Sequence, residues 1–146
     1  DKPVNLEELW TEYNRLINQV LTNHYTLYHF LKTPWSLSGE FKALGGNLER
    51  TLLQLDFLES DRVAQRLMRP KEQLMAAVIL LGIGHYNQFD YDTRTNCYKK
   101  RSAKGKHDPR QVAIDLINEA RRPLNMKDLL TFDRLISVIM NLDFEY

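Results

Sequence analysis

The sequence predicts an all-α protein, a compact bundle of five or six helices that forms a single domain over residues 1–146. Apolar residues recur at steps of three and four over most of the chain. Outside residues 87–98, no segment alternates with period two for long enough to predict a strand. With 146 residues, 43% hydrophobic and 27% charged, the chain has the size and composition of one globular domain. It also lacks internal repeats of solenoid length and low-complexity tracts.

The first predicted helix covers residues 6–31, where the apolar residues form a wide stripe. Asn5 and Glu8 have the spacing of a capping box, and Pro34 ends the helix because the residue before a proline disfavours the α region. His24 falls on the apolar stripe, so we expect a buried neutral imidazole with one hydrogen bond rather than a ligand. The helix is therefore expected to lie between neighbouring helices.

Two less regular helices are predicted next. Residues 37–58 continue the helical period, with a break at Gly45 and Gly46. Ser60 is a suitable N-cap for a short helix that ends near Met68. We therefore expect one broken helix followed by one short helix.

The fourth predicted helix is expected to be the centre of the bundle. Pro70 stands where a proline in the first turn is tolerated. Residues 73–83 are apolar on nearly all sides, and a helix without a polar face is typical of a fully buried position.

Two further helices complete the predicted bundle. Asp108 and Pro109 form an N-cap and first-turn pair for a helix that runs to Pro123. Asn125 and Asp128 can cap the last helix, which is strongly apolar. The residues predicted to lie in the core are Leu16, Val20, Leu52, Leu55, Val78, Ile79, Leu116, Leu135 and Ile139.

Between the fourth and fifth helices, residues 90–108 form a predicted basic loop inserted in the domain, and residues 87–98 have a pattern that allows a small hairpin. Within residues 94–110, seven lysines and arginines stand against the single acid Asp108, a net charge of about +6 in a chain whose total is +1. The remainder of the chain is therefore mildly acidic. This segregation of charge is typical of a segment that binds a polyanion.

From this segment we predict a nucleic-acid-binding helical module, a non-catalytic subunit or accessory factor whose partner is RNA or DNA. Each phosphate that a cation neutralises releases condensed counterions, which gives affinity independent of sequence, and a tyrosine ring can stack on an unpaired base. The same charges also suit an acidic protein surface, or a solvated loop that only aids solubility. The residues predicted to contact nucleic acid are Arg94, Tyr98, Lys99, Lys100, Arg101, Lys104, Lys106 and Arg110.

A catalytic alternative rests on two residues of the same segment. Arg101 and His107 are separated by five residues, a spacing that resembles the arginine-to-histidine signature of the helical HEPN ribonucleases. The resemblance covers only these two residues. It implies that Arg101 and His107 from paired subunits would hold a scissile phosphate, and that the protein would be an RNA-cleaving enzyme.

A third hypothesis is a protein–protein interaction module that docks a partner, or a second copy of itself, through the aromatic-rich first helix. Aromatic residues are enriched at interfaces, and the first 35 residues hold more of them than one buried helix face needs. The tail over residues 142–146 alternates apolar and acidic residues, a pattern that also suits a docking peptide. The aromatic residues in question are Trp10, Tyr13, Tyr25, Tyr28, Phe30 and Trp35.

The sequence offers little for metal or cofactor chemistry. Cys97 is the only cysteine, which excludes an internal disulfide framework and a cysteine-rich zinc site and suits a reducing compartment. His24 and His29 are five residues apart, whereas zinc ligands on one helix favour a spacing of four. We therefore expect no metal and no cofactor.

Composition also bears on location. The longest apolar run, residues 74–83, is too short to span a bilayer, and no segment has the features of an export signal. We expect an intracellular protein, cytoplasmic or nuclear, without a membrane partner. Because the chain begins at Asp1 rather than Met and ends at Tyr146 just after an apolar helix, we expect an excised domain or a processed product.

Overall fold

Helices dominate the computed structural model, which describes residues 6–59, 62, 65–66, 69–102, 104, 108–124 and 129–141. The prediction of a mostly helical chain is confirmed. Of the described helices, none combines the length and the apolar content that a membrane span requires. In chain order the described elements are α1 (Leu6–Val20), α2 (His24–Lys32), α3 (Gly46–Leu58), α4 (Lys71–Gly84), a 3₁₀ turn (His85–Gln88), β1 (Phe89–Asp92), β2 (Cys97–Lys100), α5 (Pro109–Leu124) and α6 (Leu129–Asn141).

The first predicted helix is divided into α1 and α2. Asn23 caps the start of α2, since its Oδ1 accepts hydrogen bonds from the backbone N–H groups of Tyr25 and Thr26 at 3.0 and 3.2 Å. An asparagine that can cap a new helix competes with continuation of the old one. His24 consequently lies in an exposed first turn, and the expectation that it is buried is wrong.

Pro34 ends α2 as predicted, but the segment after it is irregular rather than helical. Gly45 has a φ of +82°, a left-handed conformation that glycine adopts without steric cost, and α3 begins directly after it. The paired glycines therefore end a loop instead of interrupting a helix. The predicted helical structure before Gly45 is wrong.

A polar face of α3 packs against α4. The side chains of Asn47 and Thr51 are buried; Asn47 Nδ2 donates to the carbonyl oxygen of Gly82 at 2.7 Å, and the Thr51 hydroxyl donates to the carbonyl oxygen of Asn47 at 2.8 Å. A Cβ on Gly82 would lie 2.5 Å from Thr51 Oγ1, so glycine is what allows the two helices to approach. This arrangement turns Leu52 outward with 56% of its surface exposed, and its predicted place in the core is wrong.

The central helix is α4, as its composition predicts. It packs against α1, α3, α5 and α6, and its residues Leu74, Val78 and Ile83 are buried. On α5 the buried residues are Ala113, Ile117 and Ala120. Of the predicted core, Leu16, Val20, Val78, Leu135 and Ile139 are buried, and Leu55, Ile79 and Leu116 are partly buried against that cluster.

Some predicted features lie outside the described residues. These are the caps at Asn5, Ser60 and Asn125 and the tail over residues 142–146. Of the short third predicted helix, residues 62 and 65–66 are described, and they are helical.

Two leucine truncations test the core assignment. Leu135 is fully buried, so Leu135→Ala is expected to lower the free energy of unfolding by about 2 to 5 kcal/mol through reduced burial and a cavity. The matched control is Leu52→Ala, which deletes the same atoms at an exposed position and is expected to stay within about 0.5 kcal/mol. Urea denaturation measures both, and equal losses of stability would contradict the assignment.

Candidate nucleic-acid interface

The basic segment begins with a two-stranded antiparallel hairpin. β1 and β2 pair in a register that runs from Phe89 opposite Lys100 to Asp92 opposite Cys97. Asn96, the last residue of the connecting turn, has a positive φ of 54°, which asparagine tolerates better than most residues. The hairpin is a short extension of an otherwise helical body.

The two faces of the hairpin differ in character. Side chains alternate along a strand, so Phe89 and Tyr98 share one face, and both are buried. The other face carries Asp90 directly opposite Lys99, with Asp92 beside them. The acids of β1 therefore share a face with Lys99, whereas Lys100 lies opposite Phe89 on the other face. With the two acids included, the net charge over residues 90–110 is about +4, compared with about +6 over residues 94–110.

Arg101 is held by the hairpin itself. Its Nε donates to Asp90 Oδ1 at 2.9 Å, and its backbone N–H donates to the carbonyl oxygen of Gln88 at 3.0 Å, which continues the ladder beyond the last strand residue. The Arg101 side chain is only 20% exposed. Its charge is thus already engaged within the fold.

The other predicted cations have different surroundings. Arg94, at the turn, and Lys99, Lys100 and Lys104 are exposed. Arg110 is half-buried and lines a cavity at the start of α5. Lys106 lies outside the described residues. The structure therefore places three exposed cations on the hairpin, Lys104 shortly after it and Arg110 elsewhere.

An aromatic cluster fastens the hairpin to α2. His29 Nδ1 and the Tyr98 hydroxyl are 3.1 Å apart, and the His29 ring also contacts those of Tyr25 and Tyr86, at centroid distances of 4.3 and 6.1 Å. Tyr98 is only 9% exposed, which leaves little of its ring for a base. Tyr91 is the exposed aromatic ring of the hairpin, and its hydroxyl donates to Asn96 Oδ1 at 3.0 Å.

The cluster is uncharged at neutral pH. Burial lowers the pKa of His29, and the positive charge of Arg101 lowers that pKa further. Burial raises the pKa of Tyr86 and of Tyr98 above the ordinary value for a phenol. A neutral imidazole next to neutral phenols suits a packing contact that holds the hairpin in place.

The residues of the ribonuclease hypothesis are only partly described. Arg101 donates to Asp90, as above, and His107 lies outside the described residues. No group of three His, Cys, Asp or Glu side chains that could hold a metal ion occurs among the described residues. Cys97 is exposed, and its thiol donates to the carbonyl oxygen of Thr95 at 3.3 Å.

Acid is expected to weaken the fold through His29. Its pKa in the folded chain lies below the unfolded value of about 6.5, so the folded state binds fewer protons. The resulting contribution to stability is present above about pH 6.5 and is lost as the pH falls towards the folded pKa. Thermal unfolding between about pH 7.5 and 5 should therefore show a smaller decrease in Tm for His29→Gln than for the unsubstituted chain. His24→Gln, which changes an exposed histidine of the same helix, is the control and should keep the full decrease; a full decrease in His29→Gln as well would contradict this role.

The hairpin and the aromatic cluster are described from the residues of this chain, without support from a related protein. Comparison with protein-family models, curated proteins and solved structures finds no match for the chain. The charged and aromatic groups at the surface of the hairpin are the exposed cations Arg94, Lys99 and Lys100, two acids with local contacts, and the ring of Tyr91.

Proposed function

We propose that the chain is a nucleic-acid-binding helical module, a non-catalytic subunit or accessory factor whose hairpin contacts phosphates. The observation that carries the proposal is the exposure of Lys99 and Lys100 immediately after Tyr98, which His29 anchors. The anchored strand fixes the position of the exposed cations on the helical body. A segment that is already ordered loses less conformational entropy when it binds.

The local acids support this reading, since each already has a partner. Asp90 accepts from Arg101, and Asp92 Oδ1 accepts from the backbone N–H of Arg94 at 2.9 Å. Lysine is a compact charge on a flexible stem, which suits contacts with the phosphate backbone more than the reading of base edges. We therefore infer binding that depends little on sequence.

Tyr91 is the ring that we assign to base stacking. It is 39% exposed on the hairpin, whereas Tyr98, which the sequence suggested, is enclosed by the cluster. Single-stranded nucleic acid offers unpaired bases to such a ring, and a duplex does not. A preference for single strands is therefore part of the proposal.

A second candidate function is a protein–protein interaction through α2. Tyr25 and Tyr28 are 58% and 53% exposed and, with Leu31, form an exposed row at a spacing of three residues. Tyr13 of α1 is buried, whereas the exposed Tyr25 and Tyr28 both lie on α2, so the exposed aromatic surface belongs to α2 rather than to α1. Added salt weakens phosphate contacts steeply and affects an aromatic interface little, so salt dependence separates the two functions.

Removal of the exposed lysines on the hairpin and just after it tests the first function. The triple variant Lys99→Ala, Lys100→Ala, Lys104→Ala is expected to bind labelled RNA and DNA more weakly, and each lysine–phosphate pair removed should lower the slope of log affinity against log salt by roughly one unit. Fluorescence anisotropy with single and double strands at two salt concentrations measures this. The control is Lys42→Ala, Arg122→Ala, Arg134→Ala, which removes the same charge at exposed positions outside the hairpin. Unchanged binding in the hairpin variant, or equal weakening in both, would reject the site.

The tyrosines of the hairpin are expected to behave differently from each other. Tyr91→Ala should weaken single-strand binding by about 1 to 3 kcal/mol, as expected for the loss of one stacked base, and should leave duplex binding unchanged. Because the Tyr91 ring contacts that of Tyr98 and its hydroxyl bonds Asn96, some decrease in Tm is expected, smaller than that of Tyr98→Ala. Tyr98→Ala removes the anchor of the hairpin, so it should lower Tm and weaken the binding of both single-stranded and double-stranded nucleic acid. The same anisotropy assay and a thermal melt check this, and weaker duplex binding by Tyr91→Ala would assign that ring a structural role.

A further inference from the structure

A cavity of about 280 Å³ lies between α3, α4 and the start of α5. Arg50 and Thr51 of α3, Gly82 of α4, and Asp108 and Arg110 at the start of α5 are among the residues that line it. Its size is at the lower end of the range for small-molecule pockets, so it suits a small ligand or the end of a longer one.

The charges at this cavity favour an anion. Arg50 and Arg110 line it, and among the lining residues the single acid is Asp108. The Asp108 Oδ1 accepts a hydrogen bond from the backbone N–H of Arg110 at 2.9 Å, and the Asp108 carbonyl oxygen accepts from Val112 at 3.0 Å. Asp108 is thus the N-cap of α5, and the two guanidinium groups give the lining a net positive charge.

The position of Arg50 is fixed by stacking. Its guanidinium carbon lies 3.5 Å from the ring centroid of Trp35, and Trp35 in turn stacks on His85 with centroids 3.9 Å apart and planes 18° from parallel. His85 Nε2 donates to the Trp35 carbonyl oxygen at 2.7 Å, which holds the indole and the imidazole together. Arginine stacks on aromatic faces in this way, and its guanidinium carries a planar fork of N–H donors that matches two oxygens of a phosphate.

We propose that this cavity binds a phosphomonoester through Arg50 and Arg110. A phosphomonoester carries about 1.5 to 2 negative charges near neutral pH and offers three oxygens. Two arginines that line the same cavity supply two positive charges to match them. A cavity of this size suits a small ligand or the end of a longer one, and a phosphomonoester is present in a free mononucleotide and at the phosphorylated 5′ end of a nucleic acid. The site uses none of the hairpin lysines and does not depend on the function proposed for them.

Isothermal titration calorimetry with adenosine 5′-monophosphate, and with adenosine as the matched compound without phosphate, tests the site. The monophosphate is expected to bind and adenosine is not. Arg50→Lys keeps a charge but removes the fork, and Arg110→Gln removes a charge; each should weaken binding about tenfold or more, because a charged hydrogen bond is lost. Arg122→Gln, at an exposed position of α5 away from the cavity lining, is the control and should leave binding unchanged.

The source of the phosphate is identified with single strands that carry either a 5′-phosphate or a 5′-hydroxyl. A preference of about tenfold for the phosphorylated strand, retained in Lys99→Ala, Lys100→Ala and abolished in Arg110→Gln, assigns the cavity to strand ends. Binding of the mononucleotide without such a preference assigns it to free nucleotides. The proposal is overturned if neither the monophosphate nor the phosphorylated strand binds better than its counterpart without phosphate, or if Arg50→Lys and Arg110→Gln leave binding unchanged.

Discussion

The fold depends on the burial of α4, a helix that has no polar face to offer to water. Residues such as Leu74, Val78, Leu80 and Ile83 can leave water only if other helices cover α4 on every side, and α1, α3, α5 and α6 do so. The end of α4 then determines where the hairpin emerges. A Cβ on Gly84 would lie 2.7 Å from the carbonyl oxygen of Pro109, so the close approach of α4 and α5 brings the two ends of the intervening segment together. The hairpin is consequently a short excursion from one end of the central helix.

Periodicity predicted the type of most helices and the inward residues of α1, α4 and α6, because in those helices the apolar residues fall on one face or on all faces. It failed for α3, where Leu48, Leu52, Leu53 and Leu55 point in several directions and the pattern alone does not select a face. The buried face of α3 is selected by α4. Gly82 of α4 leaves space for Thr51, and the carbonyl oxygen of Gly82 accepts a hydrogen bond from Asn47. That requirement is set by a residue distant in the chain, so no window of sequence around α3 contains it.

The candidate interface was predictable in charge but not in geometry. A window from Arg94 to Arg110 counts cations correctly, yet it excludes Asp90 and Asp92, which the hairpin register places against β2. The alternation of Phe89, Asp90, Tyr91 and Asp92 was the signal available, since a strand there pairs with the residues after the turn. The contact of His29 with Tyr98 joins positions 69 residues apart and has no local signal.

The hairpin also shows how one short motif can combine an anchor with a charged surface. Alternation directs Tyr98 towards His29 and places Lys99 on the opposite face, so Lys99 takes no part in the contact that anchors the strand. Arg101 links the two roles, because its pair with Asp90 neutralises an acid on the outer face while its charge adds to the effect of burial in lowering the pKa of His29. A neutral His29 adds no repulsion to a region already rich in cations. Protonation of His29 would place a second positive charge near Arg101 and would therefore oppose the contact that anchors the hairpin.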